Sequence, residues 1–348
     1  MENNTDDVTC ATNSYTDLPA AWQLLEKVTY PLLLAICTVG NVLVLFIWGR
    51  QFRQCSTNVY LVSMAAICLI YMWLELPVKL LAYYPASDWM TNSPNGLQTF
   101  ILCSDGARLW ASYTAYNSID WILTLYSLER LAAVTRPLWI YKWMKPDYAV
   151  VAVGVTLLLA AIQNLEIAVA YYYWLPSAFA DTDTPFSETR PEWLTTWDNV
   201  TSEAQLALSF GIYAGLTIIN AILLMQLYRQ RDAAHLLRDD SSGCLSPDKA
   251  GSWGGRTSTR VLIACSALYL FCHLPIIIQT ILETLALPPY CRHIFTGDSR
   301  VIWFSVANQL SYCDYTFKFM VYCAFSQRFR KAMTVWRGKL STRLMGKK

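Results

Sequence analysis

Four ionisable residues stand inside apolar stretches of the chain: Asp120, Glu166, Asp314 and Lys318. A charge at the centre of a bilayer costs roughly 2.5–3.5 kcal/mol on insertion scales, so each one needs a reason. Asp314 and Lys318 are four residues apart, which on a helix places them on one face within reach of each other. They can form an internal ion pair; the alternative is a neutral structural lysine. Asp120 has no obvious partner in sequence; it is either protonated or in contact with Asn117 or His273. Glu129 and Arg130 are adjacent and can pair locally, whereas an arginine at a helix end can also simply snorkel to the interface.

Other reactive constellations are lacking. The chain has no HExxH, no GxSxG and no CxxC. Its three histidines, His235, His273 and His293, lie far apart without metal-ligand spacing. Most of the eleven cysteines sit in apolar runs, among them Cys37, Cys68, Cys265, Cys272, Cys313 and Cys323, where a thiol is a small apolar side chain. No metal, no cofactor and no enzymatic activity are expected. A net charge of +2 gives no argument for nucleic acid. The chain is 55% hydrophobic and 15% charged, against about 25% charged for a soluble domain, so its surroundings are membrane lipid.

The elements that must position these residues follow from apolar run length. A bilayer core needs roughly 20 apolar residues per helix. Seven runs qualify, at about 28–48, 59–84, 98–134, 148–174, 204–228, 259–285 and 301–325; the third and fourth are the least clean, since each carries a carboxylate. After the seventh, Phe329, Met333 and Trp336 alternate with Arg328, Arg330 and Lys331, the pattern of an amphipathic helix lying on the membrane surface. The expected fold is an all-α membrane protein, a seven-transmembrane helix bundle with a short eighth helix. Its parts are a tail over 1–27, the bundle over 28–325, and the amphipathic helix and basic tail over 326–348.

Orientation follows from lysine and arginine. One set of loops holds Arg50, Arg53, Arg136, Lys142, Lys145 and Arg229, and the C-terminal tail is basic with no acid; these are expected to be cytoplasmic. The opposite set is acidic, with Asp6, Asp7 and Asp17 near the N-terminus and Asp181, Glu188, Asp198 and Glu203 between the fourth and fifth runs. The N-terminus is therefore expected outside, in the plasma membrane. Without a basic start and apolar core, the first residues do not read as a signal peptide, and the first helix would serve as its own insertion signal. The glycosylation sequons at Asn3 and Asn199 both fall on the outer side. Residues 231–256, with Gly and Ser clusters, read as a flexible cytoplasmic linker.

Several motifs then narrow the class. Gly40-Asn41-Val42-Leu43-Val44 resembles the GNxLV signature of rhodopsin-like G-protein-coupled receptors. Ser56-Thr57-Asn58-Val59-Tyr60-Leu61 is similar to the start of helix two in invertebrate neuropeptide receptors. Ser127 to Val134, followed by Arg136-Pro137-Leu138, resembles the family's S-x-E/D-R-Y block. Phe271-Cys272-His273-Leu274-Pro275 resembles FxxCWxP with His in place of Trp, and Tyr322 to Lys331 resembles the YCxFxxxFRK junction of peptide receptors. The chain is thus identified as a divergent member of the rhodopsin-like class, nearest to FMRFamide-like peptide receptors, over about Gly40 to Lys331.

The resemblance implies a switch built on Glu129, Arg130, Pro137, Pro275 and Tyr322, with heterotrimeric G protein as partner. Pro275 removes a helix hydrogen bond and kinks the sixth helix, which suits a swinging helix, although a packing kink would look the same. Cys68 stands where the family has a buried Asp, and Lys318 to Tyr322 where it has NPxxY. The polar group Asp314, Lys318, Cys68 and Asn41 would then place an ammonium where relatives bind sodium. No cysteine lies between the fourth and fifth runs, so the family disulfide cannot form, and a Cys10–Cys291 bridge is expected instead. By helix position Glu75, Lys79, Arg108, Tyr113, Tyr116, His273, Gln279, Glu283, Trp303 and Asn308 would line an outer cavity. Mixed charge with aromatics suits an extracellular peptide, and an acidic floor at Glu75 and Glu283 suits one carrying an arginine. The alternatives are a polytopic transporter or channel using Asp120, Glu166, Asp314 and Lys318, and a receptor that binds without coupling.

Overall fold

The computed structural model describes residues 19–83, 97–136, 145–179, 191–239, 253–286, 298–327 and 329–335. Among these residues the structure is helical throughout, with no strand. The spans are Ala20–Gly49, Ser56–Tyr83, Leu97–Thr135, a fourth made of Pro146–Gln163 and Leu165–Phe179, then Glu192–Asp239, Trp253–Ala286 and Asp298–Phe325. A short helical stretch over 329–335 follows. This is the seven-helix bundle with a C-terminal helix expected from the apolar runs.

Span one packs between spans two and seven, span six closes the ring against seven, and span three runs through the middle, touching two, four, five and six. Five of the helices are long and apolar enough to cross a membrane. The fourth is among them although it carries Glu166. Spans three and seven are the two outside that group. Their polar residues face protein rather than lipid: Ser112, Asn117, Ser118, Asp120 and Ser127 on three, and Ser305, Ser311, Asp314, Thr316 and Lys318 on seven, are all buried.

The fourth span is not the single run expected over 148–174. It breaks at Asn164, whose backbone leaves the helical region at φ −92° and ψ 5°. The Asn164 side chain bonds back to Ala160 O at 2.6 Å and accepts from Asn117 Nδ2 of span three at 3.0 Å. Asparagine competes for backbone groups in this way, which is why it ends helices. The carbonyl of Ala161, beside the break, accepts from the Trp110 indole at 2.8 Å. Glu166 opens the second half and takes a bond from Thr201 Oγ1 at 3.4 Å.

Three further boundaries differ. The helix of span one begins at Ala20, directly after Pro19 and ahead of the apolar run that starts at about 28. Span five begins at Glu192, not 204, and runs to Asp239; its 48 residues extend about 72 Å at 1.5 Å per residue, far beyond a bilayer core. Asn199 therefore sits exposed on a helix rather than in a loop. The 231–256 linker is helical over 231–239 and 253–256.

Close packing explains one glycine. A Cβ on Gly40 would lie 2.8 Å from Phe319 Cβ, so span one meets span seven where only glycine fits. At the next residue, Asn41 Nδ2 donates to Cys37 O at 3.0 Å and to Tyr315 O at 3.4 Å, the latter tying the same two spans. At the end of span seven, Ser326 Oγ caps the short helix by accepting from Phe329 N at 3.2 Å. Phe329 is fully buried against Trp48 and Tyr322, with ring centroids 5.2 and 6.4 Å away.

Candidate functional site

Three polar groups lie along the bundle. The first is at the end carrying Arg130. Arg130 Nη2 sits 2.9 Å from Glu129 Oε1, and the same nitrogen donates to Thr57 Oγ1 at 2.7 Å. Ser56 Oγ donates to Glu129 Oε1 at 2.5 Å, and the Tyr60 hydroxyl also bonds Glu129. The Arg130 guanidinium lies 5.6 Å over the Tyr126 ring, itself stacked on Tyr60 at 5.6 Å. Two motifs read separately in sequence therefore meet: the start of span two holds the Glu129–Arg130 pair. Ser56, Thr57, Tyr60 and Tyr126 were not singled out as site residues. Pro137 lies outside the described residues.

The second group is in the core. Asp314 Oδ2 lies 2.5 Å from Lys318 Nζ and 3.5 Å from His273 Nε2, all three being buried. Lys318 stands 5.2 Å over the Tyr315 ring and close to the thiols of Cys68 and Cys265. His273 stacks on Tyr269 at 4.2 Å and approaches the Tyr116 hydroxyl at 3.5 Å. His273 thus joins the Asp314 group, whereas the sequence reading assigns it to the outer cavity. The reason is depth: at 1% exposure it has no open side. Asp120 is near this group, and the Tyr269 hydroxyl is its hydrogen-bond donor, rather than Asn117 or His273. Pro275 lies two residues beyond His273. Tyr213 donates to Leu270 O at 3.1 Å, beside the carbonyl of Phe271 that the proline leaves without a helical donor. Tyr322 reaches Cys265 with its hydroxyl and packs on Trp48 at 5.2 Å.

The third group is at the opposite end. Glu75 Oε1 accepts from Ser112 and lies 3.6 Å from Arg108 Nη1. Arg108 also pairs with Asp105 at 2.5 Å and donates to Leu74 O at 3.3 Å. Lys79 lies 3.7 Å from Glu26, whose carboxylate also takes a bond from Ser305. Glu283 lies 3.5 Å from Arg300 and accepts from Gln279 at 2.7 Å. Exposed Tyr113 stands among Glu75, Arg108 and Glu283. Tyr116 joins a ring cluster with Tyr71 at 6.1 Å. Trp303 and Asn308 are half-buried on span seven. The acids of the expected acidic floor are each matched by an arginine of the chain itself. Glu26, Asp105 and Arg300, which complete these pairs, were not picked out, because only the meeting of different spans reveals them. Cys10, Cys291 and Asn3 lie outside the described residues.

The chain matches the family of 7 transmembrane receptors (rhodopsin family) over residues 40–314. Among curated proteins none matches at a significant level. The matched segment runs from Gly40, at the contact of spans one and seven, to Asp314 of the core pair. Members of that family are receptors and not enzymes, which sets aside the transporter or channel alternative. With most of its length matched and the helices in the family's order, the chain belongs to the rhodopsin family of seven-transmembrane receptors.

Proposed function

We propose that this receptor sits in the plasma membrane with its N-terminus outside, binds a peptide at the Arg108 end, and passes the signal to a heterotrimeric G protein at the Arg130 end. One observation carries the peptide reading: the Arg108 end is a chain of inter-span ion pairs, Glu26–Lys79, Glu75–Arg108 and Glu283–Arg300. An uncharged apolar ligand has no group that could exchange partners with such a surface. A peptide with an arginine or a C-terminal group can exchange partners with it, pulling spans one, two, three, six and seven into a new arrangement. The motif resemblance at Ser56–Leu61 and at the Tyr322–Lys331 junction points to amidated, FMRFamide-like peptides.

Coupling is supported by the latch at the other end. An arginine held by its neighbour Glu129, by the Thr57 hydroxyl of span two and by the Tyr126 ring can be released by a small shift of either span. The test is second-messenger output in cells expressing wild type or Arg130→Ala, challenged with a panel of amidated peptides. Peptide-dependent output that vanishes in Arg130→Ala is the expected result. Peptide binding without output in the wild type would mean a receptor that binds and does not couple.

A further inference from the structure

A polar niche opens between spans three, four and five, away from the three groups above. It is lined by Asn117, Asp120, Trp121, Gln163, Gln205, Leu208, Ser209 and Ile212, and encloses about 220 Å³ including its open mouth. Asp120 lies ten residues before Arg130, about 15 Å along the helix axis, at the depth of the hydrocarbon core. Beside the mouth, Ile162, Leu165 and Leu208 are exposed apolar residues, as lipid-facing positions must be. The break at Asn164 falls at this level and puts Gln163 at the end of its helix.

Carboxylate, amide and hydroxyl groups at this depth are costly unless something satisfies them. Asp120 is buried, and although Tyr269 bonds its carboxylate, its Oδ1 has no hydrogen-bond partner. In the carboxylate form that atom only accepts, so the partner that completes it is a donor. The primary amides of Gln163 and Gln205 supply donors and acceptors together. An ammonium could donate but not accept, and would have to cross hydrocarbon as a charge. A hydroxyl both donates and accepts, and partitions into lipid on an apolar body.

We propose that this niche is a binding site, reached from the bilayer, for the hydroxyl group of a membrane-soluble alcohol. The hydroxyl donates to Asp120 Oδ1 and accepts from the glutamine amides, while the apolar body lies along Leu208 and Ile212. The alcohol would bridge the two halves of span four to spans three and five, so its occupancy would bias a bundle whose sixth span packs directly on the third and fifth.

The experiment uses the full-length receptor in phosphatidylcholine nanodiscs. The probes are a diazirine cholesterol, a diazirine long-chain alcohol, and a matched analogue of each lacking the hydroxyl. Cross-linked peptides are mapped by mass spectrometry. The expected result is labelling within residues 158–165 or 205–212 at least tenfold stronger for a hydroxyl probe than for its analogue. Gln205→Leu and the conservative Asp120→Asn should each reduce it several-fold, in protein whose monodispersity and melting match the wild type. The cholesterol and long-chain arms then separate a sterol from an acyl alcohol. Equal labelling with and without the hydroxyl, labelling indifferent to Gln205→Leu, or no labelling by either alcohol would overturn the proposal and leave the niche to water.

Discussion

Ser56 and Glu129, on different spans, share a hydrogen bond of 2.5 Å, and the neighbouring Thr57 takes Arg130 at 2.7 Å. The two residues at the start of span two thereby hold both members of the charged pair at the end of span three. Hydrogen bonds to charged groups contribute about 1.5–3 kcal/mol each. Removing them with Ser56→Ala and Thr57→Val should raise ligand-independent second-messenger output several-fold, with Arg130→Ala abolishing the rise. Unchanged basal output in both variants would show that the hydroxyls serve packing alone.

The Asp314–Lys318 pair predicts non-additivity. Leaving one partner of a buried pair alone costs about 3–5 kcal/mol, whereas replacing both is often nearly neutral. Asp314→Ala should sharply lower surface expression, since it strands the ammonium. Asp314→Ala with Lys318→Met should recover much of it, since no charge is then left without its partner. If the ammonium also takes the place of a sodium ion, agonist response should be independent of sodium at constant ionic strength. Strictly additive losses would show that the two residues act separately.

Span one should tolerate no side chain at Gly40. Its Cβ would stand 2.8 Å from Phe319 Cβ and 2.9 Å from Cγ, and the position of Phe319 Cβ is fixed by its backbone, so a rotamer change does not relieve the closer contact. Gly40→Ala should cost about 1–3 kcal/mol as an overpacked contact and Gly40→Val more, measured as thermal stability of the detergent-solubilised receptor. Gly154, Gly211 and Gly215 have open space at the same position, and their alanine variants should be neutral or slightly stabilised.

The ion pairs at the Arg108 end differ in burial, and their roles should differ with it. Arg300 and Glu283 are 37% and 43% exposed, so the pair should contribute about 0–1 kcal/mol to stability. Arg108 and Glu75 are 12% and 19% exposed and carry extra hydrogen bonds. Glu75→Gln should lower surface expression more than Glu283→Gln. Conversely, Glu283→Gln should leave expression intact while shifting agonist potency. Equal loss of expression in both would contradict the burial argument.

Topology offers the simplest check. A tag before Glu2 should be labelled by antibody on intact cells, and one after Lys348 only after permeabilisation. Labelling of the C-terminal tag on intact cells would invert the assignment of ligand and G-protein ends.

The sequence by itself determined what depends on neighbours along the chain. Run lengths of apolar residues settled the number of spans, because a helix in lipid must satisfy its own backbone and be about 20 residues long. The four-residue spacing of Asp314 and Lys318 sufficed to bring them together, because that contact lies within one helix. Tertiary structure alone decided what depends on which helix faces which. It brought Ser56 to Glu129 and Arg300 to Glu283, sank His273 beside Asp314, and matched with the chain's own arginines the acids expected to await a ligand. The break at Asn164 belongs to the same class: asparagine can leave a helix anywhere, and the partner that stabilises this one, Asn117, is on another span. Charges four apart on a helix are held there by backbone geometry; charges on separate helices are brought together only by the packing of the whole bundle.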